Sequence, residues 1–156
     1  MKIKIHHFFD MIRDFGSNKN IVPHPHLHSY HRVAEIIRND TNVELELVVA
    51  ADEVCSTCTH LIENKCDDII THRTDFVGKE DFNDHLDKRI MKVCDLVSTR
   101  KYTPKTLCEI SNKYIDNIEF IYEGNDAEHT LQRKKNVLLG LKFYSEKHGF
   151  IIESDI

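Results

Sequence analysis

Residues 54–66 read VCSTCTHLIENKC, with Cys55 and Cys58 three apart, His60 just beyond them and Cys66 eight residues after Cys58. Thiolates are soft ligands that select zinc, copper(I) or iron–sulfur clusters. A C-x-x-C turn brings two sulfurs to one side, and a third cysteine on the returning arm can close on the same point. Asn64 and Lys65 supply a turn before Cys66. A structural zinc site takes four ligands and a four-iron cluster usually takes four cysteines, so a three-cysteine loop needs a partner from elsewhere. The competing readings are a thioredoxin-like redox pair, which expects its first cysteine at a helix N-terminus within a βαβ unit, and unliganded thiols.

Two further groups have ligand or acid–base chemistry. His6, Asp10 and Asp14 are spaced i, i+4, i+8, and His7 lies three before Asp10. On a helix, His6 and Asp10 share a face suited to a mixed metal site or an acid–base pair, or they form an ordinary polar face. HPHLHSYH places His24, His26, His28 and His31 within eight residues. In an extended loop the first three point the same way, and His28 and His31 can approach each other at a helix start. Imidazole-rich loops bind zinc, copper, nickel and iron, and the competing reading is a solvated, mobile loop. Phosphate-loop, G-x-S-x-G and H-E-x-x-H patterns are absent.

The elements that must position these residues are legible as patterns. Phe8, Met11, Ile12 and Phe15 give a short helix over 7–15 that Gly16 can stop, and a loop with Pro23 and Pro25 follows. A second helix runs from the N-cap Ser29 to Arg38 with Val33, Ile36 and Ile37 inward. Alternation over 42–50 predicts a strand, with the N-terminal MKIKI as a partner strand. The cysteine segment, 51–68, reads as a loop. Phe82, Leu86, Ile90 and Val93 stripe a helix over 79–93. Thr103-Pro104 opens another, whose stripe Leu107, Ile110, Tyr114, Ile118 and Ile121 runs to Gly124. The last helix starts near Asn125 with Glu128 completing a capping box, and Leu131, Leu138, Leu141 and Tyr144 lie on one side. The two C-terminal helices are expected to form an antiparallel pair. The fold class is α+β: a helix-rich single domain over 1–156 with a small β-sheet and a cysteine-rich metal loop.

The chain's 156 residues suffice for one core, and 40% hydrophobic with 30% charged residues marks an ordinary globular composition. A net charge of −5 and scattered lysines and arginines argue against nucleic-acid binding. No apolar run approaches the roughly 20 residues of a membrane span, and the N-terminus lacks a signal-peptide pattern, so a cytoplasmic location is expected. Five cysteines is an odd count, which disfavours a disulfide framework there, and Cys94 and Cys108 read as buried small hydrophobes on helix stripes.

Taken in order, His6-His7-Phe8-Phe9, the alternating strand running into Asp52-Glu53-Val54-Cys55-x-x-Cys58-x-His60-Leu61, Cys66, and Asp87-Lys88-Arg89-Ile90-Met91 make a recognisable series. It resembles a family of small uncharacterised prokaryotic proteins described as iron–sulfur-binding proteins of unknown function. The likeness covers about Lys4 to Ile110, so residues 1–110 are the family-like part and 111–156 a C-terminal helical extension. The resemblance implies an iron–sulfur cluster on Cys55, Cys58 and Cys66. The family pattern has a cysteine where this chain has Asp10. The site would then be completed by Asp10 or His7, and a carboxylate is a harder ligand that holds cluster iron less firmly. That departure leaves room for zinc, with His6 or His7 as nitrogen ligand. The expected function is a metal-centre protein working with a protein or redox partner. The alternatives are a structural zinc module that binds a partner, and a small metal-dependent enzyme using the N-terminal His/Asp face.

Overall fold

The first apolar run becomes the helix around which the rest packs. In the computed structural model, which describes residues 1–153, α1 spans Ile5–Gly16 and buries Phe8, Phe9, Met11, Ile12 and Phe15. Lys2–Ile3 before it forms β1, which pairs in parallel with β2 (Leu45–Leu47), and β2 pairs antiparallel with β5 (Lys101–Tyr102). The expected partner strand is therefore present. The predicted nine-residue strand is shorter, because the ladder ends where its two-residue neighbours leave it. Its alternation holds, with Leu45 and Leu47 fully buried and Glu46 half-buried between them.

The remaining helices are α2 (Tyr30–Asn39), α3 (Lys79–Val93), α4 (Pro104–Glu109), α5 (Ser111–Asp116), α6 (Ile118–Ile121) and α7 (Ala127–His148). On α2 the inward residues are Val33, Ala34 and Ile37, whereas Ile36, expected inside, is exposed. The single helix predicted from Thr103 to Gly124 is broken twice. Thr103 caps it as expected, accepting the Thr106 N–H. The Ser111 hydroxyl then donates to the Cys108 carbonyl, and the Asn117 amide donates to the Lys113 carbonyl, so side chains compete with the helical ladder at both breaks.

On α7 the N-cap is Asp126, which accepts the His129 N–H, one residue beyond the predicted cap. Leu131 and Leu138, expected inside, are exposed, and the buried stripe is Thr130, Val137, Gly140, Leu141 and Tyr144. The reason is the partner. α7 packs mainly along α1, with smaller contacts to α5 and α6. Asp10 meets Arg133 and Phe15 meets Tyr144, so α1 and α7 run parallel. Their backbones touch where Gly16 and Gly140 lack side chains: a Cβ on Gly140 would lie 1.8 Å from the Ile12 carbonyl oxygen, and one on Gly16 would lie 1.9 Å from that of Asn136. Gly16 belongs to α1 and serves this close approach rather than a left-handed helix stop.

The core is completed by Phe9 stacked on Tyr114, with ring centroids 3.8 Å apart, and by hydroxyl contact between Tyr114 and Tyr122. Cys94 and Cys108 are buried apolar fillers, as their helix stripes imply. No helix among the described residues is long and apolar enough to cross a membrane.

Gly140→Ala should reveal the contact between the helix backbones. Helix propensity alone favours alanine by about 1 kcal/mol. Urea unfolding is nevertheless expected to show a loss of about 3 kcal/mol, at the upper end of overpacking costs. Gly78→Ala, whose added Cβ would meet nothing nearer than 3.8 Å, should lose less than about 1 kcal/mol as a helix N-cap change.

Candidate metal loop and adjoining cleft

The start of α1 has no acidic residue in its first turn and no local side-chain cap. Two distant buried carboxylates replace them. Asp52, in the loop after β2, accepts the Lys4 N–H at 2.7 Å and bonds His7 Nδ1 at 2.8 Å through one oxygen, while its other oxygen accepts the Cys55 N–H. Asp87, on α3, accepts the His6 N–H at 2.9 Å and bonds His6 Nδ1 at 2.8 Å. Both His rings are therefore fixed through Nδ1, and they lie with centroids 4.3 Å apart. Burial works against charge on these groups. For His6 the Asp87 carboxylate outweighs it and raises the imidazole above its usual value. For Asp52 the pairing with His7, backed by backbone bonds, outweighs burial and holds the carboxyl well below its usual range. Neither carboxylate was assigned a role from sequence, although Asp87 sits beside the buried α3 stripe, where an unpaired acid would be costly.

The N-terminal segment lies against the cysteine loop, with Asp52 bridging them. Cys55 opens a 3-10 turn, Cys55–Thr57, and Cys58 ends it. Leu61–Ile62 (β3) and Lys65–Cys66 (β4) then form a hairpin. Its turn is Glu63 and Asn64, one residue earlier than expected, both with positive φ, which matches the twist of a two-residue hairpin. The three thiols are free and half-buried. Burial and the Asp52 carboxylate push the Cys55 thiol up to about 12, and burial also raises Cys66. Asp10 faces elsewhere: its Oδ1 is shared by the guanidinium groups of Arg13 and Arg133. These cations outweigh its burial and hold the carboxyl well below the usual range.

The ligand atoms that converge most tightly among the described residues belong to His26, His60 and Asp68, all within 4.8 Å of one another and half-buried. His60 Nδ1 bonds Asp67 Oδ1 at 2.8 Å, which orients the ring and leaves Nε2 for a ligand. Asp68 accepts from Lys79 Nζ at 3.2 Å. His26 was visible in sequence as a candidate in the histidine run and His60 only as a histidine beside the cysteine pair, whereas Asp68 carried no signal beyond following Cys66-Asp67. The histidine run is turned rather than extended: Leu27 has positive φ and donates its N–H to the His24 carbonyl. That turn still gathers the rings, with His24 stacked on His28 at 4.3 Å, His24 against His26 at 4.7 Å, and His26 against His60 at 4.4 Å. Burial and the His24 neighbour lower His28 to about 4, so its imidazole is neutral at pH 7. His31 sits on α2 with Nδ1 buried and unpartnered among the described residues.

Residues 24–126, which carry the histidine run, the cysteine loop and α3, match the model of a family described as a protein of unknown function, DUF1284. The chain belongs to this family. No curated protein and no solved structure matches it. The family segment contains Asp52, Asp87 and the convergent His26, His60 and Asp68, while α1 and α7 flank it.

His24 and His28 also wall a cleft of about 800 Å³ whose floor includes His6, His7, Asp10 and Arg133. The Asp10 pairing within it makes a pH-dependent contribution to stability. Because the folded pKa of Asp10 is depressed, that contribution is complete above the ordinary carboxyl value of 3.8 and fades as pH falls through the folded value. Asp10→Asn should cost about 2 kcal/mol at pH 7, between the limits for exposed and buried pairs. In urea unfolding series run from neutral to strongly acid pH, the difference from wild type should shrink only below the ordinary carboxyl range.

Proposed function

We propose that this protein is a metal-centre protein whose metal sits on the histidine–cysteine loop, held by His26, His60 and Asp68. The observation that carries the reading is the convergence of these three ligand atoms within 4.8 Å, with His60 oriented by Asp67. A carboxylate behind a ligating imidazole is the usual outer-shell support of a metal site. Two imidazoles and one carboxylate form a borderline-to-hard donor set that suits zinc or ferrous iron and leaves coordination positions open. Such a centre would supply Lewis-acid or one-electron chemistry when loaded. The neutral imidazole of His28 and the ionised Asp68 need no proton removed before a cation enters nearby.

A second reading, an iron–sulfur cluster on Cys55, Cys58 and Cys66 completed by Asp10 or His7 and serving a redox partner, is favoured by three free, half-buried thiols on one loop. In that case a reducing, cytoplasmic setting would keep the thiols available. A structural zinc on the same thiols with His6 or His7 is the variant that lacks colour. Against a cluster completed by Asp10 stand the two guanidinium groups that take its carboxylate.

Metal and acid-labile sulfide analysis of anaerobically purified protein separates the readings. One zinc or iron per chain without sulfide is expected, lost in His26→Ala and His60→Ala and kept in Cys58→Ala. Asp67→Ala should weaken metal affinity about 10–100-fold by releasing the His60 ring. Brown, sulfide-containing protein that bleaches in Cys58→Ala but not in His60→Ala would replace the first reading with the cluster. Colourless protein whose zinc is lost in Cys58→Ala and kept in His60→Ala would replace it with the structural site. Failure of the metal-free chain to take up zinc or ferrous iron would end all three.

A further inference from the structure

We propose that the cleft between the start of α1 and the first turns of α7 is a binding site for a small phosphate-bearing metabolite, with His6 and Arg133 holding the phosphate. The cleft shares His24 and His28 with the histidine loop but none of the proposed metal ligands, and the inference does not rest on metal being bound there.

The carboxylates on the cleft wall are already satisfied. Asp10 is paired with Arg13 and Arg133. Asp14 is bonded by Arg13 and by the Tyr30 hydroxyl. Asp126 accepts the His129 N–H as the cap of α7. The unspent hydrogen-bonding capacity lies on the cationic side. Among the described residues, Arg133 spends only Nη1, on Asp10, so Nη2 and Nε keep their hydrogens for another acceptor. Its guanidinium also stacks over Tyr122 at 4.4 Å, which fixes its plane. Arginine presents its donors as a rigid fork that matches phosphate oxygens.

His6 is the second, independent pointer. Its side chain is 6% exposed, Nδ1 is taken by Asp87, and Nε2 has no partner among the described residues. Nε2 is not among the buried, unsatisfied atoms, so the small exposed fraction of the ring opens at the cleft. A buried ring held from behind by a carboxylate, with one nitrogen aimed into a cavity, is organised for a ligand. The N-terminal end of the 22-residue α7 contributes Asn125, Asp126 and His129 to the same wall, and its dipole favours negative charge. At about 800 Å³ the cleft exceeds a bare phosphate, and Ile21, Val22, Phe82 and Leu86 line it for a less polar remainder.

The test titrates inorganic phosphate into EDTA-treated full-length protein at constant ionic strength. Heat of binding and the imidazole NMR signals are the readouts. Saturable binding is expected, with the His6 and His7 ring signals moving on one curve and the His148 signal still. Arg133→Lys, which keeps the charge opposite Asp10, and His6→Gln should each weaken binding about tenfold or more. Lys101→Gln, on the far strand β5, should leave it unchanged. Thermal melting confirms that each variant folds. If one does not fold, the wild-type ring signals decide, since a stationary His6 signal overturns the proposal. Absence of saturable binding overturns it, as do equal affinities in all variants. Binding that appears only after zinc is added would place the anion on the metal and overturn the cleft assignment while leaving the metal reading intact.

Discussion

Two carboxyl side chains, Asp52 and Asp87, lie buried at the N-terminus of α1. Removing a carboxylate from water costs several kcal/mol unless good hydrogen bonds replace its hydration. Here each finds a backbone N–H of the first helical turn and a histidine Nδ1. The helix, in turn, has unpaired N–H groups at that end and no acid of its own to cap them. Each side therefore requires the other. α1, the loop after β2 and the middle of α3 are held in one arrangement by these shared bonds.

Much of the site's geometry follows from that constraint. The His6 and His7 rings cannot rotate freely, because Nδ1 of each is bonded, and their remaining nitrogens are set by the carboxylates behind them. Asp52 also bonds the Cys55 N–H, so the cysteine loop is anchored to the same point. The close approach of Gly16 and Gly140 then lays α7 along α1 and delivers Arg133 to Asp10. The cleft is the space left between these elements once every carboxylate on its wall is paired.

The loop and the cleft share a wall of stacked imidazoles but differ in what they offer. His26, His60 and Asp68 present acceptors, two of them rings that need carry no proton at the ligand position, which is what a cation requires. Arg133 and His6 present donors, which is what an anion requires. The family segment, residues 24–126, contains the loop and both buried carboxylates. The histidines those carboxylates hold come from α1, before it, and Arg133 comes from α7, after it. The segment thus carries half of each buried pair, and α1 carries the other half.

Local pattern in the chain was enough to indicate α+β class, the α1 and α3 helices, the Thr103 cap, and the burial of Cys94 and Cys108. These depend on residues within a turn or two of each other, where periodicity and capping chemistry act directly. Sequence also marked His6, His7, the His24–His31 run and the cysteine loop as the places where chemistry is concentrated. Tertiary structure alone decided which of them meet. The buried face of α7 keeps Leu141 and Tyr144 but not Leu131 and Leu138, because two glycines let α1 approach on another side. Asp10 was a candidate ligand by spacing, yet guanidinium groups from its own helix and from α7 take it. Asp68 looked like any surface acid until the turn at Leu27 and the β3–β4 hairpin brought it to His26 and His60. Convergence of that kind depends on how distant backbone segments are closed against each other. The spacing of residues along one segment carries no record of it.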